Sequence, residues 1–333
     1  MSLFTRELET IAIIVPVYNE ESVLGKFHEL LCETIDSLPY DFSITYVNDG
    51  STDSTSEVLS NLQELDQRIR ILELSRNFGH QAALTAGLDS TGCDIVITMD
   101  GDGQHPPVLI PKMIDLYRSG YDIVITQRMD DHQHSSFKKR TSGFFYWLIN
   151  RLGDTRIVPG AADFRLLSQE AVCGLKSMRE YNRFLRGMVS WMGFESVIIP
   201  YVPTERLAGE SKYSLKKMVR LATDAIFSFS LIPLQIGISL GFIFLFLAFL
   251  EAVYVLSFWV TGRESTLEPG WSSLMFMLLI VGGIIMLSLG FIGVYIGYIF
   301  QEVKNRPIYL IKKESPKQEH DFLTENSQET IRK

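Results

Sequence analysis

Residues 93–107 read CDIVITMDGDGQHPP, and this stretch best predicts the fold of the chain. Its first half is a short apolar run rich in β-branched side chains, which is typical of a strand buried on both faces of a sheet. Two aspartates, Asp100 and Asp102, follow on either side of Gly101, and a double proline then starts a helical pattern. The stretch therefore predicts a strand, a polar loop and a helix, which is the repeating unit of an α/β protein.

Four other runs have the same character as this strand. The predicted strands are TIAIIVPVY (10–18), FSITYVND (42–49), IRILELS (69–75), CDIVITMD (93–100) and YDIVITQR (121–128). Apolar residues spaced by three and four lie between several of them, as in 21–38 and 54–67, and this spacing predicts amphipathic helices. The alternation predicts a mostly parallel sheet with helices on both faces.

Polar and acidic residues follow each predicted strand. These strand ends are VPVYNEE (15–21), VNDGSTD (47–53), SRNFGH (75–80), MDGDGQH (99–105) and TQR (126–128). Each one alone is explained equally well by a turn or a helix cap. Because the carboxyl ends of parallel strands share one edge, where ligands bind in such sheets, the five together indicate a binding site.

The acidic pair predicts how this site handles phosphate. The chain has no GxxxxGK[ST] motif, and no GxGxxG follows its first strand. In an extended segment Asp100 and Asp102 point the same way, so both carboxylates can meet one cation, with Gln104 as a further oxygen ligand. We therefore predict a Mg²⁺ or Mn²⁺ site at Asp100, Asp102 and Gln104; the alternative is an acidic turn with a cap.

Two long uncharged stretches, 225–250 and 269–301, predict a membrane anchor. Each exceeds the roughly 20 residues that a helix needs to cross a bilayer, so we expect transmembrane helices near 231–260 and 272–300. The alternative is a pair of buried core helices. Lysines and arginines precede the first stretch and follow the second, which places both termini and the large N-terminal part in the cytoplasm, at the inner (plasma) membrane. No signal peptide is expected at the N-terminus.

These features divide the chain into four predicted parts. They are a cytoplasmic α/β domain (1–205), a basic and amphipathic juxtamembrane segment (206–230), two transmembrane helices (231–300) and a polar, disordered tail (301–333). Segments 142–153 and 216–230 have the pattern of helices lying on a bilayer surface, or alternatively of core or oligomer contacts. Cys32, Cys93 and Cys173 lack CxxC or histidine spacing, which favours reduced structural thiols over a metal site.

The order of several motifs resembles one enzyme family. VPVYNEE, NDGSTDST, RNFGHQAALTAGL, DGDGQHPP, ADFRLL and ERLAGESKYS resemble the GT-A-fold glycosyltransferases of family 2, most closely the polyprenyl-phosphate glycosyltransferases, over about residues 10–225. The resemblance implies a GT-A (Rossmann-like) sheet followed, as in the bacterial branch, by a two-helix transmembrane hairpin. Processive polysaccharide synthases share this domain but carry a QxxRW segment, which does not occur here.

The resemblance also implies roles for individual residues. The nucleotide-sugar-binding set comprises Pro16, Tyr18, Glu20, Val47, Asp49, Asp100, Gly101, Asp102, Arg128, Arg206 and Lys212. The catalytic set is Asp100, Asp102 and Asp163, where Asp163 faces the acceptor either as a base or as an orienting group. Arg165 is an alternative ion-pair partner for Asp163. Without the resemblance, Arg206 and Lys212 read equally as ordinary juxtamembrane charge.

The implied reaction is transfer of a hexose with inversion, from a nucleotide sugar to undecaprenyl or a similar polyprenyl phosphate, on the cytoplasmic leaflet. UDP-glucose is the expected donor; GDP-mannose and other nucleotide sugars are alternatives, as is an inactive, membrane-anchored GT-A module. The expected partners are the donor, the lipid acceptor, membrane lipids, a second copy of the chain and a separate flippase. No nucleic-acid partner is expected.

Overall fold

The computed structural model describes residues 10–129, 158, 160–181, 183–202, 232–260 and 270–315. The chain divides into two compact units. The first unit comprises residues 1–151, 155–218 and 307–333, and it contains the sheet. The second comprises residues 152–154 and 219–306, and it contains two long helices.

The first unit alternates strands and helices. Its strands are β1 (Thr10–Val17), β2 (Asp41–Asn48), β3 (Ile69–Leu74), β4 (Ile95–Thr98), β5 (Ile123–Arg128), β6 (Ala161–Ser168), β7 (Ser196–Tyr201) and β8 (Ile311–Glu314). Its helices are α1 (Leu24–Ile35), α2 (Thr55–Leu65), α3 (His80–Ser90), α4 (Ile110–Arg118), α5 (Gln169–Ser177) and α6 (Leu185–Trp191). The five strands predicted from the sequence are all present, each within a few residues of its expected bounds.

The strands of the described residues form one sheet in the order β7-β5-β6-β4-β1-β2-β3-β8. β1 pairs in parallel with β2 and β4, β2 with β3, and β5 with β7. β6 and β8 run antiparallel to their neighbours. The predicted fold class, a mostly parallel α/β sheet flanked by helices, is therefore confirmed. The sequence patterns did not predict the antiparallel strands β6 and β8 or the parallel strand β7.

The core lies on both faces of the central strands. Residues 11–15 of β1 are fully buried, as expected for a strand covered by helices on each side. Helix α3 lies close to this strand at Gly87, where an added Cβ would stand 2.3 Å from the Ile14 Cγ2 atom. Because Gly87 has no Cβ atom, α3 can approach β1 closely, which places the start of α3 beside the sheet edge.

β6 brings a distant segment to the carboxyl end of β4. Thr98 on β4 pairs with Arg165 on β6, and the Thr98 hydroxyl donates a hydrogen bond of 2.6 Å to the backbone carbonyl of Asp163. Because β6 is antiparallel, its first residues lie at the edge where β4 ends. Asp163 is thereby placed beside the loop that carries Asp100.

The prediction that the tail (301–333) is disordered is wrong for residues 311–314. Ile311–Glu314 forms β8, which pairs antiparallel with β3 and covers that edge of the sheet. The Tyr309 hydroxyl donates to Asp89 at 3.0 Å, and Arg70 pairs with Glu314. These long-range contacts order the segment although its own sequence is polar. The tail beyond residue 315 lies outside the described residues.

The second unit contains α7 (Ile232–Val260) and α8 (Trp271–Val303), which contact one another. Within the described residues, one stretch, Ile280–Val303, is long and apolar enough to cross a membrane, with a mean hydropathy of 2.2. The two-span hairpin therefore stays a prediction. The predicted surface helices at 142–153 and 216–230, and the domain boundary at residue 205, lie outside the described residues.

Candidate active site

The acidic loop after β4 has a fixed backbone. The Asp100 amide donates to Nδ1 of His105 at 2.9 Å, and the Gln104 amide donates to Oδ1 of Asp102 at 3.0 Å. Gly101 is buried against the end of β1, where an added Cβ would lie 3.1 Å from the Val17 Cγ1 atom. The loop is thus closed on itself and packed on the sheet, which fixes the Asp100 backbone and the Asp102 carboxylate.

Aromatic side chains pack against one another at the end of this loop. The His105 ring stacks on Phe164 with 5.3 Å between centroids, and Tyr201 meets both rings edge-on. Burial raises the pKa of the Tyr201 phenol to about 12; Arg128 opposes this shift, whereas the carboxylates of Asp100 and Asp102 add to it.

The Asp100 carboxylate is suited to a cation. Its Oδ1 atom is buried, and no group among the described residues makes a hydrogen bond to it. Its Oδ2 atom lies 3.6 Å from Nε2 of His105, which is too far for a hydrogen bond. A buried carboxylate oxygen without a hydrogen bond costs free energy unless a positive charge lies near it, and Nε2 of His80 lies 3.4 Å from Oδ1. Hard oxygen donors of this type fit Mg²⁺ or Mn²⁺.

Gln104, the third predicted metal ligand, is engaged elsewhere. Its Oε1 atom accepts a hydrogen bond of 3.0 Å from Nη1 of Arg128, at the end of β5. Arg128 is exposed, so its guanidinium is open to solvent at the site. The pair therefore links the acidic loop to a basic side chain, and the amide oxygen keeps a second lone pair for a further contact.

Asp163 lies at the centre of a buried ion cluster. Arg186 donates to it twice, from Nε to Oδ1 at 3.1 Å and from Nη2 to Oδ2 at 2.8 Å, and Arg165 pairs with Oδ1. Burial favours the protonated form of Asp163, but Arg186, His80 and Arg165 outweigh it and hold the pKa of the carboxyl well below its usual range. Asp163 is therefore an ionised anchor and a poor proton acceptor.

His80 connects this cluster to the acidic loop. Its Nε2 atom lies 3.4 Å from Oδ1 of Asp100 and 3.3 Å from Oδ2 of Asp163. Burial disfavours the charged ring, but Asp100 and Asp163 outweigh this and raise the pKa of His80 to about 9. The ring is 41% exposed, so a positive charge stands at the mouth of the site near neutral pH.

Asp49 positions the segment that carries His80. Its carboxylate accepts hydrogen bonds from the backbone amides of Phe78 at 2.7 Å and Gly79 at 2.9 Å. Gly50 lies directly against this segment with φ +67°, and an added Cβ would stand 2.5 Å from the carbonyl carbon of Arg76. Asp49, predicted as a nucleotide contact, thus also orders the loop before α3; burial raises its pKa in spite of the two amides.

The remaining predicted nucleotide contacts lie near the ends of β1 and β2. Pro16 pairs with Val47 across these strands. Tyr18 is exposed, whereas Val47 is fully buried, with its side chain close to Gly87 of α3. The Glu20 amide donates to the Thr55 hydroxyl at 3.0 Å, which ties the end of β1 to α2. Tyr18 therefore presents a ring at this edge, while the Val47 side chain belongs to the core.

Four further residues bear on the comparison between the predicted site and the observed one: two that were predicted and two that the sequence analysis did not assign to the site. Arg206 and Lys212 lie outside the described residues. Arg186 was not predicted. It lies on the short helix α6, whose sequence carries no motif that marks Arg186 as a site residue. His80 was noted only as part of the strand end SRNFGH; its place at the start of a helix after a strand was the signal available.

Comparison with known proteins identifies the family of this chain. The sequence model of the family described as "Glycosyl transferase family 2" matches residues 12–173. The chain is 40% identical over 302 residues to an uncharacterized glycosyltransferase of Bacillus subtilis (strain 168), covering 91% of this chain and 93% of that protein. It is 37% identical over 304 residues to the SfII prophage-derived bactoprenol glucosyl transferase of Shigella flexneri, covering 91% and 97%.

Among solved structures, the chain is similar to glucosyl-3-phosphoglycerate synthase from Mycobacterium tuberculosis in complex with Mn²⁺, UDP-glucose and phosphoglyceric acid. The TM-score is 0.42 and the sequence identity 18%, over 66% of this chain and 78% of that one. The sequence relatives are decisive, because their similarity covers almost the whole of both chains. This protein belongs to glycosyl transferase family 2.

Proposed function

We propose that the protein is a membrane-bound inverting glycosyltransferase that moves glucose from UDP-glucose to undecaprenyl phosphate or a similar polyprenyl phosphate. One observation carries the proposal: His80 bridges the Asp100 carboxylate of the acidic loop and the Asp163–Arg186 pair at one sheet edge. A cation ligand and two fixed positive side chains are thereby brought together. Such an arrangement suits a reaction in which one phosphate attacks and another departs.

The choice of donor and acceptor rests on the relatives. The Shigella flexneri relative is named a bactoprenol glucosyl transferase, and this chain matches 97% of its length. Similarity over a whole chain supports a shared substrate class more strongly than similarity of one domain does. GDP-mannose or another nucleotide sugar is the alternative donor.

Asp100 and Asp102 are the residues that would hold the cation, with Gln104 as a further oxygen donor. The buried Oδ1 atom of Asp100, which accepts no hydrogen bond from the described residues and has only the His80 ring as a charged neighbour, supports this role. When bound, Mg²⁺ or Mn²⁺ stabilises the negative charge that develops on the departing nucleoside diphosphate. Arg128 is held beside the loop by Gln104 and supplies a guanidinium for the same phosphates.

The acceptor side needs no strong base. The second pKa of a phosphate monoester is about 6, so the lipid phosphate is already largely ionised near neutral pH. The depressed pKa of Asp163 fits this requirement, because a carboxylate held by two guanidinium groups takes up a proton with difficulty. Asp163 instead orients Arg186 and His80. The Arg186 guanidinium is positively charged and attracts an anionic acceptor into the site.

The nucleotide is proposed to lie at the ends of β1 and β2, where the exposed ring of Tyr18 offers a stacking surface. Pro16, Glu20, the backbone at Val47 and Asp49 complete this end. Arg206 and Lys212, from the basic segment before α7, are proposed to meet the diphosphate. The C-terminal helices are proposed to form a two-span anchor with the catalytic domain on the cytoplasmic side.

The experiment that tests this function uses membranes that contain the protein. Radiolabelled UDP-glucose, GDP-mannose and other nucleotide sugars are supplied in turn with undecaprenyl phosphate, and the lipid extract is measured. Label in a lipid-linked product from UDP-glucose is expected. Label from another donor alone would change the assigned sugar. No product from any donor, with either cation, would remove the enzyme proposal and leave an inactive anchored module.

A further inference from the structure

Three potential metal-binding side chains meet on the first unit, away from the acidic loop. His28 and Cys32 lie one turn apart on α1, and Asp66 follows α2. Nε2 of His28 is 3.4 Å from Sγ of Cys32 and 3.6 Å from Oδ2 of Asp66, and Sγ is 3.7 Å from the same oxygen. These three atoms form a nearly equilateral triangle.

The size of this triangle matches zinc. Typical Zn²⁺ bonds are about 2.3 Å to sulfur and about 2.0–2.2 Å to nitrogen and oxygen, so tetrahedral ligands stand about 3.3–3.6 Å from one another. A point equidistant from the three atoms lies about 2.1 Å from each of them. An ion could therefore bind there with little movement of the ligands. A thiolate, an imidazole and a carboxylate together favour Zn²⁺ over Mg²⁺.

Neighbouring groups hold the three side chains as the second layer of a metal site usually does. Nδ1 of His28 lies 3.0 Å from the Tyr46 hydroxyl, which leaves Nε2 facing Cys32. Arg68 donates to Asp66 from Nε and Nη2 and also pairs with Asp36; its Nη2 atom touches two proposed ligand atoms directly, Oδ2 of Asp66 at 2.9 Å and Sγ of Cys32 at 3.5 Å. His28 is buried, and the Asp66 side chain is 13% exposed. The ligand orientations are therefore fixed before any ion binds.

We propose that His28, Cys32 and Asp66 form a zinc-binding site, with a water molecule as the fourth ligand. The charges support a divalent ion: with Cys32 as a thiolate, Cys32, Asp66 and Asp36 carry three negative charges, and Arg68 carries one positive charge. The remaining two negative charges match one Zn²⁺. The ion would join α1 to the end of α2 and so fasten two helices on one face of the sheet.

Binding of zinc to Cys32 requires the thiol to lose its proton. The proton would pass to solvent and leave a thiolate on the metal.

This site is separate from the proposed catalytic cation. Asp66 lies just before β3, whereas Asp100 lies just after β4, and these two strands run in the same direction. The two sites therefore stand at opposite edges of the sheet. Removing zinc should weaken the fold without removing a group that meets the substrate.

The experiment uses the full-length protein in detergent with Cys93→Ser and Cys173→Ser, so that Cys32 is its remaining cysteine. Bound zinc is measured by mass spectrometry after extensive dialysis, and about one zinc per chain is expected. After chelation, Co²⁺ is added, and a thiolate-to-cobalt charge-transfer band should appear. Adding Cys32→Ser should abolish both signals, whereas adding Asp102→Asn, at the other edge, should leave both unchanged.

Two results would overturn the zinc site. The first is the absence of both bound zinc and the cobalt band in the protein that retains Cys32. This result does not depend on whether a variant of a ligand residue folds. The second is zinc content that is equal with and without Cys32, which would place the metal elsewhere. Zinc and cobalt are measured directly, so failure of this proposal is distinguishable from failure of the transferase function.

Discussion

Arg186 on α6 donates two hydrogen bonds to the Asp163 carboxylate on β6, from Nε to Oδ1 at 3.1 Å and from Nη2 to Oδ2 at 2.8 Å. The carboxylate is buried, while the guanidinium is half-buried and remains partly open to the site. Asp163 thus fixes the direction of a positive charge that can meet a phosphate. In the proposed reaction, Asp163 would act as a positioning residue for Arg186, and its depressed pKa keeps it ionised in that role.

Replacing Arg186 by lysine should lower transfer to the lipid acceptor by about 100-fold. Lysine keeps the charge but cannot hold Asp163 through two parallel hydrogen bonds, and misplacement of a binding group by about 1 Å can cost this much in rate. Initial rates at varied acceptor concentration measure the effect. The control is Arg179→Lys, an exposed arginine paired with Asp89. Equal rates for both variants would contradict the proposed role of Arg186.

Asp163→Asn should destabilise the protein by about 3–5 kcal/mol at neutral pH, because it leaves the buried Arg165 without its charge partner. The pKa of Asp163 is depressed in the folded protein, so its ionised form adds stability above the unfolded pKa of about 3.9, and this is lost as pH falls further. The difference between wild type and variant should therefore shrink in acid. Unfolding monitored by near-UV circular dichroism against pH measures it, with exposed Asp115→Asn as the control. A difference that is constant with pH would count against the ion cluster.

Gly50→Ala should destabilise the loop that carries His80. The left-handed backbone alone costs about 1–2 kcal/mol with a Cβ, and that Cβ would also collide with the Arg76 backbone. Transfer should fall as well, since the segment before α3 must shift. Gly25→Ala in α1 is the matched control; its Cβ meets no atom within 4 Å, and it should stabilise the helix by up to about 1 kcal/mol. Thermal unfolding and transfer rates measure both variants, and equal stability would refute the close packing.

Glu314→Gln should weaken β8. The Arg70 side chain is almost buried and pairs with Glu314, and hydrogen bonds to charged groups contribute about 1.5–3 kcal/mol. Faster hydrogen exchange in residues 310–315 and at the outer edge of β3 is the expected result. Lys313→Gln, an exposed change in the same strand, is the control. Unchanged exchange in Glu314→Gln would show that backbone pairing alone holds the strand.

The sequence was sufficient to predict the parallel core of the sheet. Buried β-branched runs such as residues 123–128 carry a local signal, and the polar residues after them identify the functional edge. The two antiparallel strands carry no such signal. Residues 161–168 were noticed only through the motif ADFRLL. The strand IKKE at 311–314 is mostly charged and has no strand pattern of its own; it is ordered by pairing with the distant strand β3.

The candidate site divides in the same way. Asp100 and Asp102 were singled out because residues i and i+2 of an extended segment point the same way. In the structure β4 ends at Thr98 and Gly101 and Asp102 lie in the turn that follows, so a shared cation stays a prediction. Arg186 was not, because only the folded chain brings α6 to β6. Asp49 was expected to meet the nucleotide, and its bonds to the amides of Phe78 and Gly79 depend on a loop that local patterns do not describe.

The most direct test of the central claim is transfer from radiolabelled UDP-glucose to undecaprenyl phosphate by wild type, Asp102→Asn and Asp115→Asn, with and without chelator. Wild type and Asp115→Asn should form lipid-linked glucose that disappears with chelator and returns with Mg²⁺ or Mn²⁺. Asp102→Asn should remain folded and form none. Undiminished transfer by Asp102→Asn, or by wild type after complete removal of divalent cations, would contradict the account.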